Sequence, residues 1–319
     1  MMPLCAPRFW YDANGGIPAR ILAPLGWLWC MAAARRQRHA NTYAARIPVI
    51  CLGNVTIGGA GKTPTAIALM QALMEGGKVR NPCFLTRGYG GEARTATLAA
   101  MPESTRHGDE SVLLARHAPV VVAADRVAGL KLTESAGFDL VIADDGYQNP
   151  SFAKTAGVLV FDGAVGIGNG RCIPAGPLRE SLAAALERAH AAVIIGPDKT
   201  GLRARLGDLP VFMGRIEAGA LPQARYLAFA GIGRPDKFFD TLRGGLAELA
   251  ACIPFPDHHP YSESDMQRLE RLAAQHGAQL VTTEKDHVRI PLAWRDRVST
   301  LKVRVVIDAM ADLVRLLVP

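Results

Sequence analysis

The 319-residue chain reads as an α/β protein, a mostly parallel sheet accompanied by a second, smaller α/β domain. Three observations predict this. Short, continuous apolar runs of strand length alternate with helical segments, the pattern of parallel strands covered on both faces. A glycine-rich loop joins the first of those runs to a helix. The length is about twice the ~150 residues of one domain, and 49% apolar against 20% charged residues is the composition of a packed core, not of a disordered chain.

The N-terminal segment is unusual. Ile17, Ile21, Leu25 and Leu28 recur at helical spacing, Trp27 and Trp29 sit among them, and Arg35, Arg36 and Arg38 follow. This composition suits a helix lying in the headgroup plane of a membrane; the same arginines would also complement the C-terminal dipole of a helix packed on the domain. Pro24 and Gly26 weaken the helix. The longest uncharged stretch, Ile21 to Ala34, has fourteen residues, short of the ~18 that a spanning helix needs. The segment is therefore expected to touch a membrane without crossing it. Its arginines follow the apolar run and no small-residue cleavage site is evident, unlike a secretory signal.

From Pro48 the order is strand (Val49 to Val55), glycine loop, then a helix with Ile67, Met70, Leu73 and Met74 on one face. Buried-type strands follow at Cys83 to Thr86, Val120 to Ala124 and Leu140 to Ala143. Loops at the carboxyl ends of parallel strands carry ligands, and Lys62, Arg87 and Asp144 all fall there. Beyond Gly157 a second series reads as strands at Val158 to Phe161, Ala192 to Ile195, Tyr226 to Gly231 and Gln279 to Thr282, with helices at Ser181 to His190 and Glu263 to His276. Ser262 and Asp265 form a capping-box pattern. These readings place one domain over residues 1–152 and a smaller one over 153–302, with the strand and helix of 303–319 packing back on the first.

The net charge of +7 favours anionic partners. No helix-turn-helix, zinc-finger or RNA-binding aromatic signature accompanies it, so no nucleic-acid partner is expected. Six cysteines without a CxxC pair or a Cys/His cluster suggest no disulfide framework, no zinc site and a reducing, cytoplasmic compartment.

Thr56-Ile57-Gly58-Gly59-Ala60-Gly61-Lys62-Thr63, followed by Pro64, is the most informative local feature. Closely spaced glycines before Lys-Thr at a helix start present N–H groups and a dipole to phosphate, with Lys on the β/γ-phosphates and Thr on Mg²⁺. The usual pattern has glycine where Thr56 stands; the pair Gly58-Gly59 supplies flexibility instead. Leu140 to Asp145 fits the apolar strand ending in acids that holds the metal, giving a P-loop NTPase-like first domain. The nearest guanine-type string, Thr283-Glu284-Lys285-Asp286, has its lysine one place late, so adenine is expected.

Further polar clusters stand out. Thr86 to Gly91 offers Arg87 and bare backbone to an anion, or is a flexible turn. Gly108-Asp109-Glu110 opens a helix, where acids also serve as caps. Phe255 to Tyr261 puts His258 and His259 in a proline-bounded loop without the other ligands of a zinc site, which favours an acid/base role over metal binding or a surface pair. Asn169 to Glu180, stiffened by prolines, delivers Arg171, Arg179 and Glu180, suited to phosphoryl oxygens and a metal shell or to capping the next helix.

In order along the chain, residues 53 to 64, 86 to 91, 108 to 110, 144 to 148, 176 to 180, 257 to 259 and 282 to 286 together resemble the tetraacyldisaccharide 4'-kinase family of lipid A biosynthesis. The resemblance covers nearly the whole chain, from Phe9-Trp10-Tyr11 onward. It implies ATP-dependent phosphorylation of the 4'-hydroxyl of a membrane-embedded glycolipid, a tetraacylated glucosamine disaccharide 1-phosphate. The reaction would take place at the cytoplasmic face of the inner membrane, without an obligate protein partner. It further implies Asp109 as the catalytic aspartate and His258 as its partner. Lys62, Thr63, Asp144, Asp145, Gln148, Arg179 and Glu180 match the family's nucleotide and metal residues. Two positions depart from the family's pattern: Ser111, where proline is common, and Asn149, often His. The rival reading is a membrane-associated P-loop ATPase of the partitioning or targeting type, which carries a second lysine early in the loop; here Ile57 precedes the glycine pair.

Overall fold

Nine strands share one sheet in the computed structural model, which describes residues 6–12, 14–92, 95–100, 103–245 and 248–318. In chain order the strands are β1 (Val49–Gly53), β2 (Pro82–Thr86), β3 (Thr97–Ala99), β4 (Val120–Val122), β5 (Leu140–Asp144), β6 (Ala156–Asp162), β7 (Ala191–Ile195), β8 (Val211–Ala218), β9 (Arg225–Ala230), β10 (Glu248–Pro254), β11 (Gln279–Thr283), β12 (Val298–Leu301) and β13 (Val303–Ile307). The large sheet runs β13-β8-β7-β6-β1-β5-β2-β4-β3 and the smaller one β10-β9-β11-β12.

Strands β1, β2, β5, β6 and β7 are buried along their whole length. That is why their sequences are continuous apolar runs and not alternating ones. Pairing is parallel except at the two edges, where β3 runs antiparallel to β4 and β13 to β8. The central β1 lies between β5 and β6. Its chain leaves at the carboxyl edge into the glycine loop and then helix α2 (Lys62–Glu75), which buries Ala66, Leu69, Met70 and Leu73 on one face of the sheet.

The boundary expected at 152/153 falls inside this sheet. Strands β6, β7 and β8 extend it by parallel pairing, and the second sheet draws only on residues 225 to 301. Strands of both sheets read alike, so nothing in composition marks the passage. Strand β8 is half-exposed and carries no continuous apolar run, so the sequence did not announce it. Residues 303 to 317 do return to the first sheet: Val303 pairs with Ala218, and the helix Met310–Leu317 sinks Leu313, Val314 and Leu317 into the core beside α2.

Helix α1 (Gly16–Arg38) continues through Pro24. Among the described residues it is the helix long and apolar enough to cross a membrane, and at ~1.5 Å per residue it spans about 35 Å. This corrects the expectation that no segment reaches that length: Arg20 interrupts the uncharged run, yet the helix carries it on an exposed position. Ile17 and Ile21 are each 71% exposed and Trp27 63%. Three attachments hold α1 to the body. Trp29 Nε1 donates to Arg179 O at 2.8 Å, Gln37 Nε2 donates to Gln148 O at 2.9 Å, and Cys30 is disulfide-bonded to Cys172. That bond corrects the expectation of unpaired cysteines; 142 positions separate the partners, and spacing gives no sign of it. Cys5 lies outside the described residues.

Gly53 closes β1 directly beneath Tyr147, and a Cβ there would overlap the Tyr147 Cβ. Tyr147 is fully buried and donates its hydroxyl to Ala185 O at 2.7 Å, so it has no room to yield. Gly53→Ala is expected to cost about 1–3 kcal/mol by overpacking, read as a lower denaturant midpoint at unchanged slope.

Candidate active site

The glycine loop is held by its own residues. Asn54, fully buried, donates through Nδ2 to Thr56 Oγ1 at 3.2 Å and accepts the Lys62 ammonium on Oδ1 at 3.1 Å. Ile57 N donates to Pro177 O at 2.9 Å, and Thr56 bridges to Leu178. A short β contact therefore occupies the place where the usual pattern has glycine. Gly58 and Gly61 adopt φ of 117° and 88°, open only to glycine at low cost. Gly61 caps α2 without a side-chain acceptor, which leaves the first-turn N–H groups facing outward as an anion site. Ala60 is buried beneath the loop, and Pro64 takes a first-turn position that needs no N–H.

Thr63 Oγ1 donates to Asp144 Oδ2 at 2.7 Å, at the carboxyl end of β5. Asp144 is 1% exposed and its Oδ1 has no hydrogen-bond partner. Burial first, then the Glu110 charge, push this carboxyl up to about 7, against the Thr63 hydrogen bond. An orphaned, buried carboxylate oxygen beside a loop threonine suits a hard divalent cation such as Mg²⁺. Asp145, in the left-handed region at φ 51°, pairs instead with Lys62 at 3.6 Å and Arg179 at 2.9 Å. Burial alone would raise its carboxyl, but Lys62 and Arg179 outweigh it and hold it below the usual range. Glu180 is 3% exposed and fully engaged, accepting Gln148 Nε2 at 3.1 Å and pairing with Arg188 at 2.6 Å. Of the five expected metal residues, Thr63 and Asp144 are therefore joined directly, whereas Asp145, Gln148 and Glu180 are engaged by protein partners.

Asp109 opens helix α4 (Asp109–Leu114), which follows the short helix α3 (Ser104–His107), and is 7% exposed. Its Oδ2 meets His258 Nδ1 at 3.2 Å and Arg289 Nε at 2.9 Å. The backbone of His258 takes φ 59°, with its N–H donated to Gly231 O at 3.0 Å, and its ring packs edge-on against Tyr89. Lys285 Nζ stands 3.4 Å from His258 Nε2 and 3.4 Å from Glu110 Oε1. An ammonium only donates, so Nε2 is the accepting nitrogen and Nδ1 carries the hydrogen offered to Asp109. His259 turns elsewhere, onto Asp265 at 3.1 Å.

The two sheets thus supply different parts. The large sheet provides the loop, Thr63, Asp144 and Asp109; the small one brings His258 and Arg289 onto Asp109 and Lys285 onto Glu110 and His258. Arg234 and Lys237 both pair with Asp162 at the end of β6, and Gly233 lies beside Gly59, which closes the small sheet against the loop. Arg87 is exposed at the end of β2. Arg171 lies half-buried in a turn organised by Asn169. The sequence reading did not reach Asn54, Arg126 or Arg289. Arg126 is 3% exposed, its Nε lacks a partner, and its charge acts on Asp145. Its signal was an arginine just after a buried strand.

Comparison with known proteins gives a consistent result. The family model described as tetraacyldisaccharide-1-P 4'-kinase matches residues 18–318. A tetraacyldisaccharide 4'-kinase of Gluconacetobacter diazotrophicus is 50% identical over 305 residues, 93% of this chain and 92% of that relative. One of Methylobacterium nodulans is 49% identical over 299 residues, 90% of this chain and 88% of that relative. The crystal structure of LpxK from Aquifex aeolicus in complex with ATP shares the fold with a TM-score of 0.77 at 24% identity, covering 93% of this chain and 98% of that one.

Burial of Asp144 has a consequence for stability. The folded protein keeps this proton up to about pH 7, whereas the unfolded chain releases it near pH 4. The contribution is therefore fully present below pH 4 and is lost as pH rises to about 7. In metal-free protein, Asp144→Asn is expected to remove this loss. Urea unfolding from pH 4 to 8 should show the substituted protein gaining on the parent as pH rises; parallel curves would exclude the buried proton.

Proposed function

The chain belongs to the tetraacyldisaccharide-1-P 4'-kinase family, and on that premise we propose the following reaction. The γ-phosphoryl group of ATP passes to the 4'-hydroxyl of a tetraacylated glucosamine disaccharide 1-phosphate, giving the 1,4'-bisphosphate lipid A precursor. The observation that carries this reading is the pairing of a phosphate-binding loop with a buried aspartate held by a histidine from the other sheet. A phosphate loop alone serves any ATPase. A positioned carboxylate beside it serves an acceptor hydroxyl.

Phosphoryl transfer needs mainly positioning and charge neutralisation. The N–H groups of Gly58 to Gly61 and of the first turn of α2, with Lys62, receive the phosphates of the nucleotide, and Arg179 faces the oxygens that gain charge in transfer. Mg²⁺ would be held by Thr63 and Asp144 and would neutralise phosphate charge; Asp145, Gln148 and Glu180 reach its shell only by exchanging their present partners. Asp109 accepts the proton of the acceptor hydroxyl through its oxygen away from His258, and His258 fixes the carboxylate and stabilises its charge by donating from Nδ1. The exposed apolar face of α1, with Arg35, Arg36 and Arg38 at its end, lies in the headgroup plane where the acyl chains of the substrate remain. On this reading the reaction takes place at the cytoplasmic face of the inner membrane, as the family resemblance implies.

Transfer of labelled γ-phosphate from Mg-ATP to the acylated disaccharide 1-phosphate in detergent micelles tests the reading. Lys62→Ala is expected to abolish lipid phosphorylation, and Asp109→Ala to lower it by roughly 10²- to 10⁴-fold. Free phosphate without a lipid product would favour the ATPase reading instead. If Asp109 and His258 act as a unit, replacing both costs little more than replacing one; fully multiplicative losses would separate them. Deleting residues through Arg38 is expected to reduce partition onto anionic vesicles, and unchanged partition would remove α1 from that role.

A further inference from the structure

We propose that Arg289 is a positioning residue for the catalytic base, an inference that rests on the reading of Asp109 as that base. The side chains of Asp109, Arg289 and Asp286 are 9%, 6% and 0% exposed, and a charge so placed persists only with partners. The guanidinium lies between two carboxylates and three backbone carbonyls. Nε donates to Lys285 O at 3.2 Å and lies 2.9 Å from Asp109 Oδ2, Nη1 donates to Gly231 O at 3.0 Å and His259 O at 3.3 Å, and Nη2, which makes no hydrogen bond among the described residues, lies 3.4 Å from Asp286 Oδ1.

Asp286 is itself fixed. Its Oδ1 accepts Gly231 N and the Tyr261 hydroxyl, each at 2.8 Å, and its Oδ2 accepts the Thr283 hydroxyl at 2.6 Å. Of the carbonyls that Nη1 grips, that of His259 lies in the turn that carries His258, and that of Gly231, just after β9, also accepts His258 N. One side chain therefore sets the base directly and the base's histidine through its loop. Both contacts to Asp109 fall on Oδ2; among the described residues Oδ1 accepts no hydrogen bond. The carboxylate is thus held by one oxygen and presents the other. This gives a task to the segment 282 to 289: Thr283 fixes Asp286, whose charge faces the guanidinium, and Arg289 holds the base.

A planar fork can lie against two carboxylates and three carbonyls at once; an ammonium cannot. The test is steady-state kinetics of the full-length enzyme with Mg-ATP and the acylated disaccharide 1-phosphate in micelles. Arg289→Gln is expected to lower kcat by roughly 100-fold, the scale of a misplaced reacting group. KM for ATP and for lipid should stay within about twofold. Arg289→Lys keeps the buried charge and loses the fork, and should fall between, about tenfold below the parent. In an Asp109→Ala background, adding Arg289→Gln should cost nothing more. Parent-like kcat in both variants, a loss confined to KM, or a further full loss in the Asp109→Ala background would each overturn the proposal. If Arg289→Gln does not fold, Arg289→Lys decides: parent-like kcat overturns it, and a loss in kcat alone sustains it. Absence of lipid phosphorylation by the parent would instead fail the functional reading itself.

Discussion

Asp109 keeps a carboxylate where water scarcely reaches, and a charge so placed must be partnered from within the protein. None of its own element's neighbours provides the partner. The cation and the imidazole come instead from residues 289 and 258, so the chain must carry a whole second sheet back onto the start of α4. Much of the architecture follows from this requirement. The small sheet needs a rigid base for the histidine turn, which Asp286 provides from below through Gly231 N and the Tyr261 hydroxyl. It also needs a hold on the large sheet near the phosphate loop, which Arg234 and Lys237 provide at Asp162.

The large sheet solves a complementary problem. Parallel strands end together at one edge, so β1, β5 and β6 deliver the loop, Asp144 and Asp162 to one crevice without any long excursion of chain. That edge is rich in carboxylates, and their environments push them apart. Asp145 is drawn down by Lys62 and Arg179, while neighbouring Asp144, buried and beside the Glu110 charge, is pushed up. Two adjacent acids in sequence therefore do different work: one steadies the cations of the loop, the other is left as an unsatisfied oxygen.

The parts of this arrangement that were legible in the sequence are those written in consecutive residues. The strand, glycine loop and helix of 49 to 75 are local, as are the capping box at Ser262 and the acids after β5, and the structure has them where the pattern put them. The meeting of Asp109 with His258 joins residues 149 positions apart; no periodicity encodes it, and only the family resemblance suggested it. Arg289 was invisible because an arginine after a short helix is ordinarily a solvated one, and burial by tertiary packing leaves no mark in local sequence. The limit of the first sheet was misplaced for a similar reason. A strand buried on both faces looks the same whichever sheet it joins, and β8, half-exposed and with Gly214, Arg215 and Glu217 in its length, did not look like a buried strand at all.

The pairing of Ala218 with Val303 makes the small sheet an excursion between β8 and its neighbour, the edge strand β13, which has a meaning for how the chain is made. A ribosome emits the phosphate loop well before the small sheet, and β13 and the helix that covers part of α2 only after it. Until then the large sheet lacks an edge strand and leaves apolar surface of α2 uncovered. The large sheet is therefore completed only after the small sheet has been synthesised and has had time to fold.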